Sequence, residues 1–286
     1  MAILCRKSAT ATSRIMQGLI LSVSLFLSCS LSYAQVIFTD DFEGGNLSKT
    51  QNGFKWTSSA STKVVSFQGT QALRFWFGGT GAGSGDAWAE QRFFLGSYYR
   101  DVWIQYDVYI PTNYIQRVPP SGSKNDKAFV QLWTDTYKDT GVGIKGGFHS
   151  FADGNGLGDL GFLQASPPNT GLIFQPGAKH IDKSELGKWT RVVINIRAGT
   201  GSSDGLARVW KDGVLIYDYS KAAKPNNNFT KFMYEPGRNN RFNNGYLLGW
   251  SNSGFAQDTL IYIDNFIFST TPLNMNFDPP SAPIAQ

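Results

Sequence analysis

From Val36 to Thr270 the chain alternates short runs rich in Val, Ile, Phe, Tyr and Trp with clusters of Gly, Asn, Asp and Pro. Within the runs, apolar and polar positions exchange every second residue, the period of a β-strand with one buried face. QALRFWFGG, RDVWIQYDVYIP, DKAFVQLWTD, GVGIKGGFHSF, WTRVVINIRAG, LARVWKDGVLIYD and TLIYIDNFIFS all read this way. KDG, Lys211 to Gly213, is a tight hairpin signal with a glycine free to take positive φ. No long segment has helical periodicity, and KSEL and YSKAAK are each long enough for one turn only. The pattern predicts an all-β fold, a two-sheet antiparallel sandwich.

The same alternation sorts side chains by face. Leu73, Phe75 and Phe77 form an inward set that leaves Arg74 and Trp76 outside. Val102, Ile104, Tyr106, Val108 and Ile110 go inward and leave Trp103, Gln105, Asp107 and Tyr109 outside. Val130 and Leu132 leave Gln131 and Trp133; Ile144 and Phe148 leave Lys145 and His149. In AWAEQRFF, Trp88, Glu90, Arg92 and Phe94 share a side. A merely solvated face avoids several tryptophans, because large exposed apolar patches are rare unless they bind something. Rings mixed with planar polar groups suit sugars, whose C–H faces pack on aromatics while their hydroxyls take hydrogen bonds. Arg74, Trp76, Trp103, Trp133, Lys145 and Glu90 are therefore expected to line one concave trough with Arg92 and Gln131. Burial of Trp76, Trp103 and Trp133 under loops is the competing expectation.

The N-terminus changes the balance of charge. Arg6, Lys7 and Arg14 precede the apolar run GLILSVSLFLSCSLS, and Ser32-Tyr33-Ala34 has small residues where a signal peptidase reads. Residues 1–34 are thus expected to be a signal peptide, residues 35–270 one domain, and 271–286 a disordered proline-rich tail. Three of the 26 Lys and Arg and none of the 21 acids precede the cut, leaving 23 against 21, a net +2. Such a near-neutral chain without a basic cluster is not expected to bind nucleic acid, and no later run is long enough to span a bilayer. Both cysteines, Cys5 and Cys29, leave with the signal, so the exported domain, expected to be a monomer, must rely on its core. No nucleophile elbow, zinc helix or phosphate loop occurs.

DDFEGGNLS, WAEQR, FVQLW, the pairing of GKWTRVVINIRAG with GLARVWKDGVLIYD, and IYIDNFIFS carry a family likeness. Over roughly residues 36–270 the chain resembles the concanavalin A-like lectin/glucanase jelly rolls, most of all polysaccharide lyases of the alginate, glucuronan and heparin-lyase-like kind. The resemblance implies β-elimination on a uronic-acid polymer: an Arg or Gln neutralises the uronate carboxylate, and a His or Tyr takes the C5 proton. Of the R-x-E-x-R pattern the chain keeps Glu90 and Arg92 with Trp88 in place of the first arginine; of Q-x-H it keeps Gln131 with Trp133 in place of the histidine. In the late strand pattern Leu247 and Ser251 stand where lysine and tyrosine are expected. His149 is then the candidate base, with Tyr246 or Tyr109 as acid; an ordinary half-buried histidine is the alternative for His149. His180 is expected to be solvated in the loop GAKHIDKSEL.

The likeness also implies a structural calcium, for which Asp41, Glu43 and Asp264, with Asp40, are the candidate ligands. ADGNGLGD, with Asp153, Asn155 and Asp159, lacks the later acids of a calcium loop and reads as a glycine-rich turn. The E-x-D-x-x-E strand of the glucanase relatives is missing, which disfavours paired-carboxylate hydrolysis. Three functions remain: a secreted lyase acting on acidic polysaccharide, a non-catalytic carbohydrate-binding or adhesion module, and an assembly protein whose aromatic face docks another protein.

Overall fold

The computed structural model describes residues 35–79, 85–117, 125–137, 143–151, 157–166, 169–220, 222–223 and 232–274. The expected signal peptide, the tail from 275, and Asp153 and Asn155 lie outside them. Sixteen strands are present among the described residues: β1 (Val36–Asp40), β2 (Thr50–Gln51), β3 (Phe54–Ala60), β4 (Thr62–Phe67), β5 (Thr70–Phe77), β6 (Ala87–Tyr99), β7 (Asp101–Tyr109) and β8 (Asn125–Trp133). The second half runs β9 (Lys145–Phe151), β10 (Asp159–Ser166), β11 (Asn169–Lys179), β12 (Trp189–Arg197), β13 (Leu206–Lys211), β14 (Val214–Tyr219), β15 (Phe242–Ser251) and β16 (Thr259–Ser269). One 3-10 turn, Lys183–Glu185, falls in KSEL and is closed by an Asp182–Glu185 capping box.

The strands form two eight-stranded antiparallel sheets that make a sandwich. The back sheet has the order β14-β13-β12-β7-β16-β5-β4, with β1 also on β16. The front sheet has the order β11-β10-β9-β8-β15-β6-β3-β2. Every inward set read from the alternation is buried, including Leu73, Phe75 and Phe77 of β5, Val102 to Val108 of β7, and Val130 and Leu132 of β8. Aromatic rings knit the two sheets together at one end: Phe38 stacks on Phe54 at 4.0 Å, Phe54 on Phe93 at 5.5 Å, and Trp56 lies 4.9 Å from Phe266. Asp40 is tied into this cluster by the Trp56 indole N–H, 2.7 Å from Oδ2. The KDG hairpin forms as expected: Lys211 pairs with Val214 around Asp212 and Gly213, both at positive φ, a two-residue turn whose twist matches the strands.

Candidate functional site

Four central strands of the front sheet carry the site. Their register places Arg92 of β6 opposite Tyr246 of β15, Tyr246 opposite Gln131 of β8, and Gln131 opposite Gly147 of β9. Side chains in such a row point to the same side. Arg92 donates from Nε to Glu90 Oε1 at 2.6 Å, a pair that two-residue spacing on one strand makes possible. Its guanidinium lies over three rings, 5.9 Å from Trp133, 5.8 Å from Tyr137 and 6.0 Å from Tyr246, a cation–π cage open on the solvent side. Tyr137 also carries Lys145 Nζ at 4.4 Å, so two cations converge on one patch.

Gln131 fits because Gly147 has no side chain. A β-carbon there would lie 2.2 Å from the Gln131 amide carbon. The amide nitrogen donates to the Phe148 carbonyl at 2.7 Å, which fixes its orientation. The phenols of Tyr246 and Tyr137 share a 2.9 Å hydrogen bond. Burial, then Tyr137, holds the Tyr246 phenol well above its ordinary value, so it stays protonated through the neutral range.

His149 lies on the same face, two residues beyond Gly147 on β9 and opposite Lys127, with a bulge of β8 between Lys127 and Gln131. It is 2% exposed, with both ring nitrogens lacking a hydrogen-bond partner. Burial first, then the charges of Lys127 and Lys145, bring it down to about 3. It is therefore a neutral imidazole except in strong acid. Trp88 of β6 and Trp250 of β15 face each other at the far end of the same face, their rings 5.5 Å apart and 45% and 39% exposed.

The structure thus brings together Glu90, Arg92, Gln131, Trp133, Lys145, His149 and Tyr246 of the expected residues. It does not bring Arg74, Trp76 or Trp103 to them. β5 and β7 belong to the back sheet, so these three line the opposite surface of the molecule. Trp76 is exposed there, and Trp103 is buried against Trp210 at 5.7 Å. The expectation of a single trough is corrected on this point: alternation distinguishes core from exterior but carries no information about which sheet a strand joins. Tyr109 also lies on the back sheet, packed against Phe67 and Trp189. His180 is not solvated; it is buried with its ring 4.8 Å from Phe129 and is brought down to about 3 by burial and Lys211. Tyr137, Lys127 and Trp250 went unrecognised, Tyr137 because it follows β8 in a bend where alternation has no meaning.

Among the described residues no three His, Cys, Asp or Glu side chains form a group able to hold a metal ion. Glu43 instead accepts from the Thr70 hydroxyl and the Gln71 N–H, and Asp41 from the Glu43 N–H. Asp264 accepts from Asn265 N–H and is pushed up to about 6, chiefly by burial, with Asp107, Glu43 and Asp41 adding to the rise. Asp159 pairs with Lys179 at 2.6 Å. No helix among the described residues is long and apolar enough to cross a membrane.

No family model matches the chain, and no curated protein matches it. Solved structures do. The alginate lyase vAL-1 from Chlorella virus superposes with a TM-score of 0.57 at 12% identity, over 83% of this chain and 100% of that one. A variant of the alginate lyase Aly36B in complex with an alginate trisaccharide gives 0.53 at 14%, over 84% and 100%. The endo-β-1,4-glucuronan lyase from the fungus Trichoderma reesei gives 0.52 at 15%, over 83% and 96%. At such identities the likeness shows the fold, and the fold is the jelly-roll sandwich shared with these polysaccharide lyases.

Proposed function

We propose that the chain binds an acidic polysaccharide along the outer face of its front sheet and cleaves it by β-elimination. The observation that carries this reading is the row Arg92–Tyr246–Gln131, in which a cation held by Glu90 and by ring faces stands beside two hydrogen-bonding groups. The likeness to alginate and glucuronan lyases supports it. Arg92 and Gln131 would receive the uronate carboxylate, drawing charge off C5 so that its proton becomes removable. His149, unprotonated, takes that proton; the C4–C5 double bond forms, the C4–O4 bond breaks, and the protonated Tyr246 phenol supplies the proton to O4. With the basic and apolar segment before Gln35 acting as an export signal, the polymer is met outside the cytoplasm.

One observation favours a second reading, binding without turnover. An imidazole brought down to about 3 is a weak base. Incubation with alginate, polyglucuronate and heparin, watching for near-ultraviolet absorbance of the unsaturated product, separates the two. Cleavage predicts new absorbance that His149→Ala abolishes while binding persists. Binding without absorbance assigns the chain as a binding module, and no binding to any of the three overturns both readings.

A further inference from the structure

The far end of the same face has a different chemistry, and its meaning rests on the reading of that face as a polysaccharide trough. Trp88 lies four residues from Arg92 along β6, a separation of roughly 13 Å at strand rise, longer than a single sugar ring. Trp250 is directly opposite it on β15. The two indoles are set at 40° to each other, and the Trp250 N–H is held by Asp86 Oδ2 at 2.8 Å. Two partly exposed tryptophans in contact, one of them held by a hydrogen bond, form a shelf that costs little ordering when a ligand lands on it.

The charges around this shelf are of both signs and already engaged, so the rings decide what lands there. Asp86 and Glu90 flank Trp88 two residues to either side. Arg117 donates to the carbonyls of Gly85 at 2.6 Å and Ser253 at 3.2 Å. Lys127 approaches Gly249 between the shelf and His149. The indole faces offer a second carboxylate no hydrogen-bond donor, since the Trp250 N–H is taken by Asp86, whereas a neutral pyranose lays its C–H face on the rings and donates its hydroxyls to Asp86.

We infer that Trp88 and Trp250 form a subsite for a neutral pyranose, so that the polymer suited to this trough intersperses neutral sugars with uronates and is not a homopolymer of uronate. The uronate is held at Arg92 and the neutral ring lies on the shelf.

Titration calorimetry with two hexasaccharides tests this, one of glucuronate alone and one alternating glucuronate with glucose. The alternating oligomer is expected to bind about tenfold more tightly. Trp88→Ala and Trp250→Ala, each checked for an unchanged thermal midpoint, should remove that preference and leave the homo-oligomer's affinity as it was. Arg92→Ala should weaken both oligomers. Equal affinities in the wild type, or equal losses for both oligomers in the tryptophan variants, overturn the subsite alone if Arg92→Ala still weakens binding. Failure of both oligomers to bind overturns the subsite together with the reading it rests on.

Discussion

Asp126 shows what burial does to one charge in this fold. It is 3% exposed, accepts from the Ser253 N–H at 2.8 Å, and is pushed up to about 6 by burial against the opposing pull of that bond. An acid whose folded value is raised costs nothing below its ordinary value near 4 and destabilises progressively as pH rises through about 6. Asp126→Asn keeps the oxygen that accepts from Ser253 and removes the charge. Urea unfolding should find it more stable than wild type by up to about 3 kcal/mol at pH 8, with the gain gone at pH 3.5. The same gain at both pH values would contradict the assignment. His149 obeys the opposite sign. If it is the base, the rate should stay level from pH 8 down to the region where carboxylates begin to protonate, with no break near 6.5, and a break there would place its value at that of a solvated imidazole.

At the scale of elements, the front sheet depends on two close approaches. Gly96 of β6, at φ +84°, lies where a β-carbon would come 2.6 Å from the carbonyl carbon of Gly53 and 2.8 Å from the Phe54 nitrogen. Every atom met is backbone of residues 52–54, which has no flexible side-chain end to yield, so Gly96→Ala should cost more than about 2 kcal/mol in urea unfolding. Gly147→Ala meets a side chain, the Gln131 amide. It should lower affinity for an acidic oligosaccharide about tenfold through loss of a charge-assisted hydrogen bond, while the cost in stability stays near 1–3 kcal/mol. Unchanged binding would show that Gln131 takes no part. Alternation was enough to place the inner and outer residues read in β5 to β9, because period 2 reports on which side meets the core, but it breaks at Phe129 of β8 and Leu248 of β15, which take positive φ and join the core beside inward neighbours. Sheet membership was not legible, because pairing is decided by long-range register, and for that reason Trp76 and Trp103 were grouped with Trp133. His180 escaped for a related reason. It follows β11 directly, and its burial is made by Phe129 and Tyr114 from distant segments.

For the whole molecule, the two buried histidines couple folding to acid. Both are brought down to about 3, so the neutral forms contribute stability that is complete above about 6.5 and is lost as pH falls toward 3. The loss at pH 4 should reach up to about 3 kcal/mol for each, and His180→Phe should flatten the stability profile below pH 6. The two outer surfaces also differ in how their charges are used. On the back sheet Arg191 grips Asp107 through two bonds at 2.7 and 3.0 Å, Arg197 holds Asp101 at 2.7 Å and Arg208 holds Asp218 at 3.0 Å, the pattern of a sheet bracing itself. On the front, Arg92 stands among rings at the head of a row that crosses the sheet. Calorimetric affinity for an oligoglucuronate, compared among wild type, Arg92→Ala and Trp76→Ala, tests the front-face assignment most directly. Binding is expected to fall at least tenfold in Arg92→Ala and to stay unchanged in Trp76→Ala. Binding that survives Arg92→Ala, or is lost in Trp76→Ala, would contradict that assignment.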